Sequence, residues 1–350
     1  GTEKRTPAQL MAAAMNMKAV TVTVEDADGN RYKDEQATAA ARAKVEQIRD
    51  EFRTWMLKDP ERVRELQGTY NDLFNGHVAP DYSEAGARLQ LPGLSDARTP
   101  YSYQRSVVAR AVSEPTVLLD HVVGAGKTGS MIMSAMELRR TGIVSKPAMV
   151  VPNHLVDQIA TEAVQWYPDA NVIAVPTGLK AEERQEWMSQ VGAGDWDVVI
   201  VPQSVFERVQ IDPAKQADWL AESIAELEAN TANQDSSAGW VKRAEKAKKS
   251  LERDYDKARK NNDPGVTFEE TGIDYLLVDE AHMYKNLKRT SDLGELSCAG
   301  SNRALDLDFK LRALREAKQE AAERNGQAGP GYLPAVATFA TGTPVANNMA

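Results

Sequence analysis

The chain holds one cysteine in 350 residues, Cys298, so an internal disulfide is excluded. A lone, unreactive thiol in a loop or in the core fits a reducing, cytoplasmic setting. There are only four histidines, His77, His121, His154 and His282, and none stands at ligand spacing from another histidine or from the cysteine, which argues against a zinc site. No apolar run approaches the ~18 residues of a membrane-spanning helix, so no membrane partner is expected. The first residues, Gly1 to Pro7, carry neither an initiator methionine nor the apolar stretch of a signal peptide. Internal repeats and low-complexity tracts are also missing. Positive charge is in deficit, with 42 Lys and Arg against 51 Asp and Glu, a net charge of −9. That excludes a surface coated in basic residues for non-specific nucleic-acid binding. It leaves room for a groove that grips phosphates with backbone amides and a few side chains.

What is present is the composition of a globular protein, 42% hydrophobic and 27% charged, with length enough for one large core or two smaller ones. Residues 1–97 read as a mainly helical extension. Ala19–Glu25 alternates like a strand, and Asp28-Gly29 is a hairpin turn signal. Val45, Ile48, Phe52 and Trp55 recur at three- and four-residue spacing, which marks one helix face expected to pack in a core. After Tyr70–Phe74 the chain turns loop-like through Pro80, Pro92 and Gly93, with His77 an ordinary loop histidine.

From Thr99 onward short apolar runs alternate with helical stretches. Val117–Leu119, Ala148–Val151, Val172–Val175, Val198–Val201, Leu276–Val278 and Ala335–Ala340 are each of strand length. Most are hydrophobic throughout rather than alternating, as strands covered on both faces are. Ser130–Arg140, closed by Gly142, and Leu155–Gln165 are among the helices between them. The pattern predicts an α/β fold, a parallel sheet flanked by helices, over residues 98–350. A helical hairpin of about residues 213–262 interrupts it. Leu220, Ile224 and Leu227 form one stripe, Asn230–Gly239 is a polar turn, and Trp240, Ala244, Ala247, Leu251, Tyr255 and Ala258 form a second stripe. Lys242 to Lys260 carries nine Lys and Arg against four Asp and Glu. It reads as a solvated helix face, with contact to a DNA backbone as the alternative.

Three strings carry the chemistry. The strand at Val117–Leu119 leads into His121-Val-Val-Gly-Ala-Gly-Lys-Thr128 and then a helix, the context of a phosphate-binding loop. Glycines let backbone N–H groups converge on phosphate oxygens, and a helix N-terminus adds positive potential. In this reading Gly124, Ala125 and Gly126 cradle the phosphates, Lys127 reaches the outer ones and Thr128 holds Mg²⁺. The strict loop pattern has glycine where this chain has His121. In the second string, Leu276-Leu-Val-Asp-Glu-Ala-His282, a buried strand delivers two carboxylates to the sheet's C-terminal edge. Asp279 is the candidate Mg²⁺ ligand, and Glu280 the candidate for orienting or deprotonating water. Two adjacent acids on a strand end can also be plain surface. The third string is Thr341-Gly-Thr-Pro344.

These strings resemble the first RecA-like lobe of a superfamily 2 translocase, nearest the Swi/Snf type, over residues 98–350. Asp279-Glu-Ala-His-Met-Tyr-Lys-Asn286 resembles the D-E-A-H-x-x-K-N segment of that group, and Thr341-Gly-Thr-Pro-Val-Ala-Asn-Asn348 its T-G-T-P-x-x-N-N segment. Val150-Val-Pro-Asn-His-Leu155 with Glu162 and Trp166, and Asp197-Val-Val-Ile-Val-Pro-Gln-Ser204, are similar to its DNA-facing segments. Tyr101-Ser-Tyr-Gln104 sits where the family places an adenine-reading glutamine. A narrower resemblance involves Asp59-Pro-Glu-Arg62, Tyr70-Asn71, Phe74-Asn75, Leu91-Pro-Gly93 and the phosphate loop. These are similar to phage and mobile-element polypeptides that join a helicase-like motor to an N6-adenine DNA methyltransferase and are associated with anti-restriction or DNA modification. No N-P-P-[YF] methyltransferase string occurs here.

The resemblance implies ATP and Mg²⁺ as cofactors and duplex DNA as the track. It implies that Gln104 contacts adenine and that His282, Thr341 and Thr343 link nucleotide state to DNA grip. Asn153, His154, Gln203 and Ser204 would lie near the DNA backbone. Helix capping by Gln104, and plain strand-to-helix loops at 153–154 and 203–204, are the alternatives. Family members complete the site with an arginine from a second RecA-like lobe. Only two residues follow Asn348 here, so that lobe is expected outside this chain and turnover by the chain alone is expected to be weak. Two rival readings are a DEAH-type RNA helicase lobe and a nucleotide-binding scaffold without catalysis.

Overall fold

The structure, a computed structural model, describes residues 1–25, 31–75, 80–232, 245–246, 248–253, 265–287 and 300–343. The chain separates into two compact units, Gly1–Pro80 and Asp81–Ala350.

In the first unit, helix α1 (Pro7–Met15) opens with a reciprocal cap. The Thr6 hydroxyl accepts the Gln9 N–H, and the Gln9 side chain accepts the Thr6 N–H. Strands β1 (Thr23–Glu25) and β2 (Arg31–Lys33) pair antiparallel. Helices α2 (Glu35–Lys58) and α3 (Pro60–Tyr70) start at the aspartate caps Asp34 and Asp59. A small core of Leu10, Ala14, Val20, Val22, Ala41 and Val45 joins α1 to α2.

Two expectations need correction here. The strand expected at Ala19–Glu25 pairs only from Thr23, because α2 takes the Val22 backbone: its N–H goes to the Thr38 hydroxyl and its carbonyl accepts the Asp34 N–H. Val45 is buried and Ile48 half-buried, but Phe52 and Trp55 on the same stripe are exposed, 59% and 52%. They lie beyond the reach of α1 and pack on each other, with the Arg62 guanidinium 3.6 Å from the Trp55 ring centroid. The helical turn Asn71–Asn75 ends where the chain is expected to turn loop-like. The turn signal at Asp28-Gly29 and His77 lie outside the described residues.

The second unit contains the sheet. Its elements in order are α4 (Ser83–Arg88), α5 (Ser102–Ser113), β3 (Thr116–Asp120), α6 (Lys127–Arg140), β4 (Pro147–Val151), α7 (Val156–Trp166) and β5 (Val172–Ala174). They continue with α8 (Ala181–Ala193), β6 (Val198–Pro202), α9 (Gln203–Phe206), α10 (Pro213–Ala232), β7 (Tyr275–Val278), α11 (Asn302–Arg324) and β8 (Ala337–Thr341). All six expected strands form, in the order β3-β8-β7-β4-β6-β5, and every pairing is parallel.

Successive residues point to opposite faces, and both faces are covered. Met149, Val151, Ile200 and Leu277 pack with Val107, Val108, Met131, Ile132 and Ile159 of α5, α6 and α7. Ala148, Val150, Val199 and Leu276 pack with Met188, Trp219, Leu220, Leu307 and Leu314 of α8, α10 and α11. Burial on both sides is the physical reason that these strands read as unbroken apolar runs. This is the RecA-like arrangement of a phosphate-loop fold.

Residues 81–97 pack with the sheet rather than with the first unit. Leu91 is buried beneath β3 and α6, and the Arg105 guanidinium donates to the carbonyls of Gly86 and Leu89. The compact boundary therefore falls before residue 81, ahead of the 97/98 division suggested by the change in sequence pattern. The first arm of the insertion is α10, with Trp219 and Leu220 buried. Of the return arm, residues 245–246 and 248–253 are helical, and Leu251 packs against the same core. Most of the basic run 242–260, the stripe residues Trp240, Ala244, Ala247, Tyr255 and Ala258, and also Cys298 and residues 344–350 lie outside the described residues.

Candidate nucleotide-binding site

The loop after β3 closes on itself before α6 begins. Gly124 and Gly126 have φ of 86° and 70°, in the left-handed region that favours glycine. The Ala125 N–H donates to the Val122 carbonyl. Gly126 is the N-cap of α6, so the helix's free N–H groups face the loop. The Lys127 ammonium lies over the loop, 2.9 Å from the His121 carbonyl and 3.4 Å from that of Val122. Among the described residues the Thr128 hydroxyl has no partner, and it is free to act as a ligand.

Gln104 is buried and bonded at both ends of its amide. Its Oε1 accepts the Tyr101 N–H at 2.9 Å, and its Nε2 donates to the Gly126 carbonyl at 3.1 Å. The glutamine thus caps α5 and also grips the phosphate loop. Sequence reasoning missed its neighbour Tyr103, whose hydroxyl donates to the Ala125 carbonyl at 2.9 Å. The Tyr103 ring stacks on Tyr101 and meets His121 edge-on. The contact could have been anticipated only from the adjacency of Tyr103 to Gln104. Trp166 of α7 sits against Gly129 of α6, where a Cβ would come within 2.6 Å of its ring.

The carboxylates stand at the end of β7. Asp279 is buried, and its Oδ1 accepts the Glu280 N–H at 2.9 Å. Burial pushes the Asp279 pKa up, and the Glu280 charge adds to this, while its bond from the Glu280 N–H and the nearby Lys127 and His282 oppose it. Glu280 has φ of 50°, a left-handed conformation that costs a non-glycine residue about 1–3 kcal/mol and so must be imposed by its surroundings. One constraint is visible: His282 Nδ1 lies 3.1 Å from Glu280 Oε2 and 3.2 Å from Thr341 Oγ1. The Thr341 hydroxyl in turn accepts the Thr343 N–H at 3.1 Å. Gly342, between them, abuts the phosphate loop, since a Cβ there would meet Val123 Cγ2 at 3.1 Å and Lys127 Nζ at 3.5 Å.

The two candidate DNA-facing loops are tied together. Asn153 Oδ1 accepts the Ser204 N–H at 3.2 Å, and buried Gln203 donates its Nε2 to the Asp279 carbonyl at 3.2 Å. His154 is exposed beside them. Among the described residues no group of three or more His, Cys, Asp and Glu side chains is placed to hold a metal. Thr128 and Asp279 nevertheless suit a hard cation that is completed by phosphates and water. A divalent charge beside Asp279 would also offset the burial that raises its pKa.

The strand order, the glycine-rich turn at a helix N-terminus and the carboxylates two strands away define an α/β phosphate-loop protein. The comparison with known families is specific: residues 112–350 match the family described as a probable helicase domain, and the chain belongs to that family. Residues 1–76 match a domain of unknown function. The chain is also similar to the Defense against restriction protein B of Escherichia phage P1, 30% identical over 138 residues. That match takes in 39% of this chain and 6% of the phage protein. Among the described residues no helix is long and apolar enough to cross a membrane.

Proposed function

We propose that this chain is the ATP-binding lobe of a superfamily 2 DNA translocase or helicase of Swi/Snf type, within a larger DNA-modification or anti-restriction polypeptide. One observation carries the reading. β3, β8 and β7 lie side by side and bring Lys127, Thr341 and the Asp279-Glu280 pair together from positions more than 200 residues apart in the chain.

Phosphoryl transfer to water is mainly a matter of positioning and of charge stabilisation. The amides of residues 124–128 and the Lys127 ammonium take the phosphates, with Lys127 exchanging its present carbonyl partners for phosphate oxygens. Thr128 and Asp279 hold Mg²⁺, which when bound draws negative charge from the phosphates. Glu280 orients the attacking water and takes its proton. His282, whose Nδ1 is hydrogen-bonded to Thr341 and lies 3.1 Å from Glu280 Oε2, links this glutamate to the segment that senses the track. Gln104, which grips the loop at the Gly126 carbonyl, is the residue proposed to meet the adenine.

The name of the phage P1 relative, defense against restriction, supports a role in protecting or modifying DNA. The narrower resemblance adds a second RecA-like lobe and a methyltransferase domain as partners within one polypeptide. An arginine supplied by such a lobe is typically worth about 10³–10⁵ in rate, so residues 1–350 bind ATP–Mg²⁺ but turn it over slowly. The test is to measure ATP binding and turnover with duplex DNA, single-stranded DNA and RNA, for the natural chain and for Lys127→Ala. Binding that needs Lys127, with slow turnover raised by DNA, is the expected result. Stimulation by RNA alone would select an RNA helicase. Binding with no hydrolysis even in the full polypeptide would select a scaffold.

A further inference from the structure

α9 has four residues, too few to hold its own shape, so its position is set by what grips its two ends. At the first end Gln203 is bonded to the backbone of Asp279, and the Ser204 N–H to the side chain of Asn153. Anything that moves residues 203–204 therefore pulls directly on the carboxylate strand.

At the other end the grip is ionic and buried. The Lys310 ammonium of α11, fully enclosed, donates to the Phe206 carbonyl at 2.6 Å and to Asp306 Oδ2 at 2.7 Å. It also lies 4.1 Å from the Phe206 ring centroid. One residue further on, Glu207 Oε1 pairs with Arg303 Nε at 2.6 Å. The buried Tyr284 hydroxyl makes no hydrogen bond among the described residues, and the Arg303 guanidinium lies 5.7 Å from the Tyr284 ring centroid. Tyr284 ends the single-turn helix Ala281–Tyr284 that carries His282.

An enclosed ammonium is a poor device for stability. Replacing a buried ion pair by apolar residues of similar volume is often neutral or stabilising. A methionine at position 310 would fill the same space among Phe206, Phe268 and the helix. What it could not do is hold the Phe206 carbonyl. The charge is accounted for by position, not by packing.

We infer that α9 is a lever between the loops proposed to face DNA and the carboxylates proposed to act on ATP, and that Glu207 and Lys310 are the positioning residues that fix its fulcrum. The inference rests on the function proposed above. Engagement of residues 153–154 and 203–204 shifts the first end. Because the second end is held against α11 and Tyr284, the displacement reaches Asp279 and the His282–Glu280 contact instead of being lost as rotation of a loose turn.

Coupling between two binding sites is reciprocal, so it can be read from affinities alone. The experiment measures the Kd of a non-hydrolysable ATP analogue with Mg²⁺, with and without saturating duplex DNA, and the Kd of duplex DNA with and without the analogue. It is run on the natural chain, Lys310→Met and Glu207→Gln, with a thermal melt of each. The natural chain is expected to show a coupling factor within the usual range of about 5–150-fold. In Lys310→Met, made together with Asp306→Leu so that no buried carboxylate is left unpaired, that factor falls below about 2-fold while each ligand's own affinity and the melting temperature are kept. Glu207→Gln keeps a side-chain oxygen for Arg303 but loses the charge facing it, and it gives an intermediate factor. Natural coupling in both variants overturns the lever. So does a parallel loss of melting temperature and of both single-ligand affinities in Lys310→Met, provided Glu207→Gln keeps its coupling. A natural chain that binds both ligands without coupling sinks the lever alone. A natural chain that does not bind ATP–Mg²⁺ sinks the proposed function with it.

Discussion

Gly124 and Gly126 allow backbone strain and steric contact at the phosphate loop to be separated. Both have positive φ, 86° and 70°, so alanine at either costs about 1–2 kcal/mol for the left-handed conformation. Around Gly124 nothing lies within 4 Å of an added Cβ, so strain is the whole cost there. At Gly126 the Cβ would come 2.6 Å from Gln104 Nε2, inside any real contact distance. The Gln104 side chain has to move, and it loses its bond to the Gly126 carbonyl and its cap on Tyr101. Overpacking of this kind adds about 1–3 kcal/mol, for a total of about 2–5 kcal/mol. At roughly 2–4 °C per kcal/mol for a unit of this size, Gly124→Ala melts ~2–8 °C lower than the natural chain. Gly126→Ala melts ~4–20 °C lower by the same conversion. Differential scanning calorimetry makes the comparison, and Gly126→Ala combined with Gln104→Ala recovers part of the second loss because the obstructing amide is gone. Equal shifts for the two glycine variants, or no recovery in the double variant, would refute the claim that Gln104 grips the loop.

Lys127→Ala removes charge-assisted bonds worth about 1.5–3 kcal/mol, so calorimetric titration should show ATP–Mg²⁺ affinity lower by about 10–100-fold with the melt unchanged. Glu280→Gln should bind nucleotide normally but hydrolyse it about 10²–10⁴ times more slowly, and a parallel loss of binding would count against its role as the base. Asp279→Asn should abolish hydrolysis yet raise the melting temperature. Because burial raises the folded pKa of Asp279, the ionised form opposes folding above the ordinary carboxylate range. The gap between Asp279→Asn and the natural chain therefore opens as pH rises through that window and closes in acid; a gap independent of pH would overturn the assignment. Gly86→Ala would place a Cβ 2.6 Å from the Ser106 backbone nitrogen where α4 crosses α5. Backbone cannot yield as a side chain can, so a loss of about 3 kcal/mol or more is expected in urea titration.

The central strands could be read directly because burial on both faces leaves runs such as Pro147–Val151 and Val198–Pro202 with no polar interruption, whereas the edge strand β3 has Leu118 exposed on one face. The helix α6 was equally plain from its glycine-rich start and the stop at Gly142. The first unit was harder, because a stripe at helical spacing records which residues share a face and not whether anything covers it. Val45 is covered and Trp55 is not. That the second compact unit begins at Asp81 is hidden in the sequence for a related reason. Residues 81–97 look like a loop locally, and what attaches them to the second unit is long-range: the burial of Leu91, the Ser95 N–H bonded to the Trp166 carbonyl, and the Arg105 bonds to Gly86 and Leu89.

The sequence by itself determined the fold class and the chemical inventory. Strand periodicity, glycine at 124 and 126 and the acids after β7 are local properties, set by residues within a few positions of one another. Only the tertiary structure decided how these parts connect. The order β3-β8-β7 sets Thr341 against His282, Gln203 reaches 76 residues along the chain to the Asp279 carbonyl, and Lys310 reaches 104 residues to Phe206. Such bonds need donors and acceptors brought together by packing, and no local pattern encodes which carbonyl a distant side chain will meet.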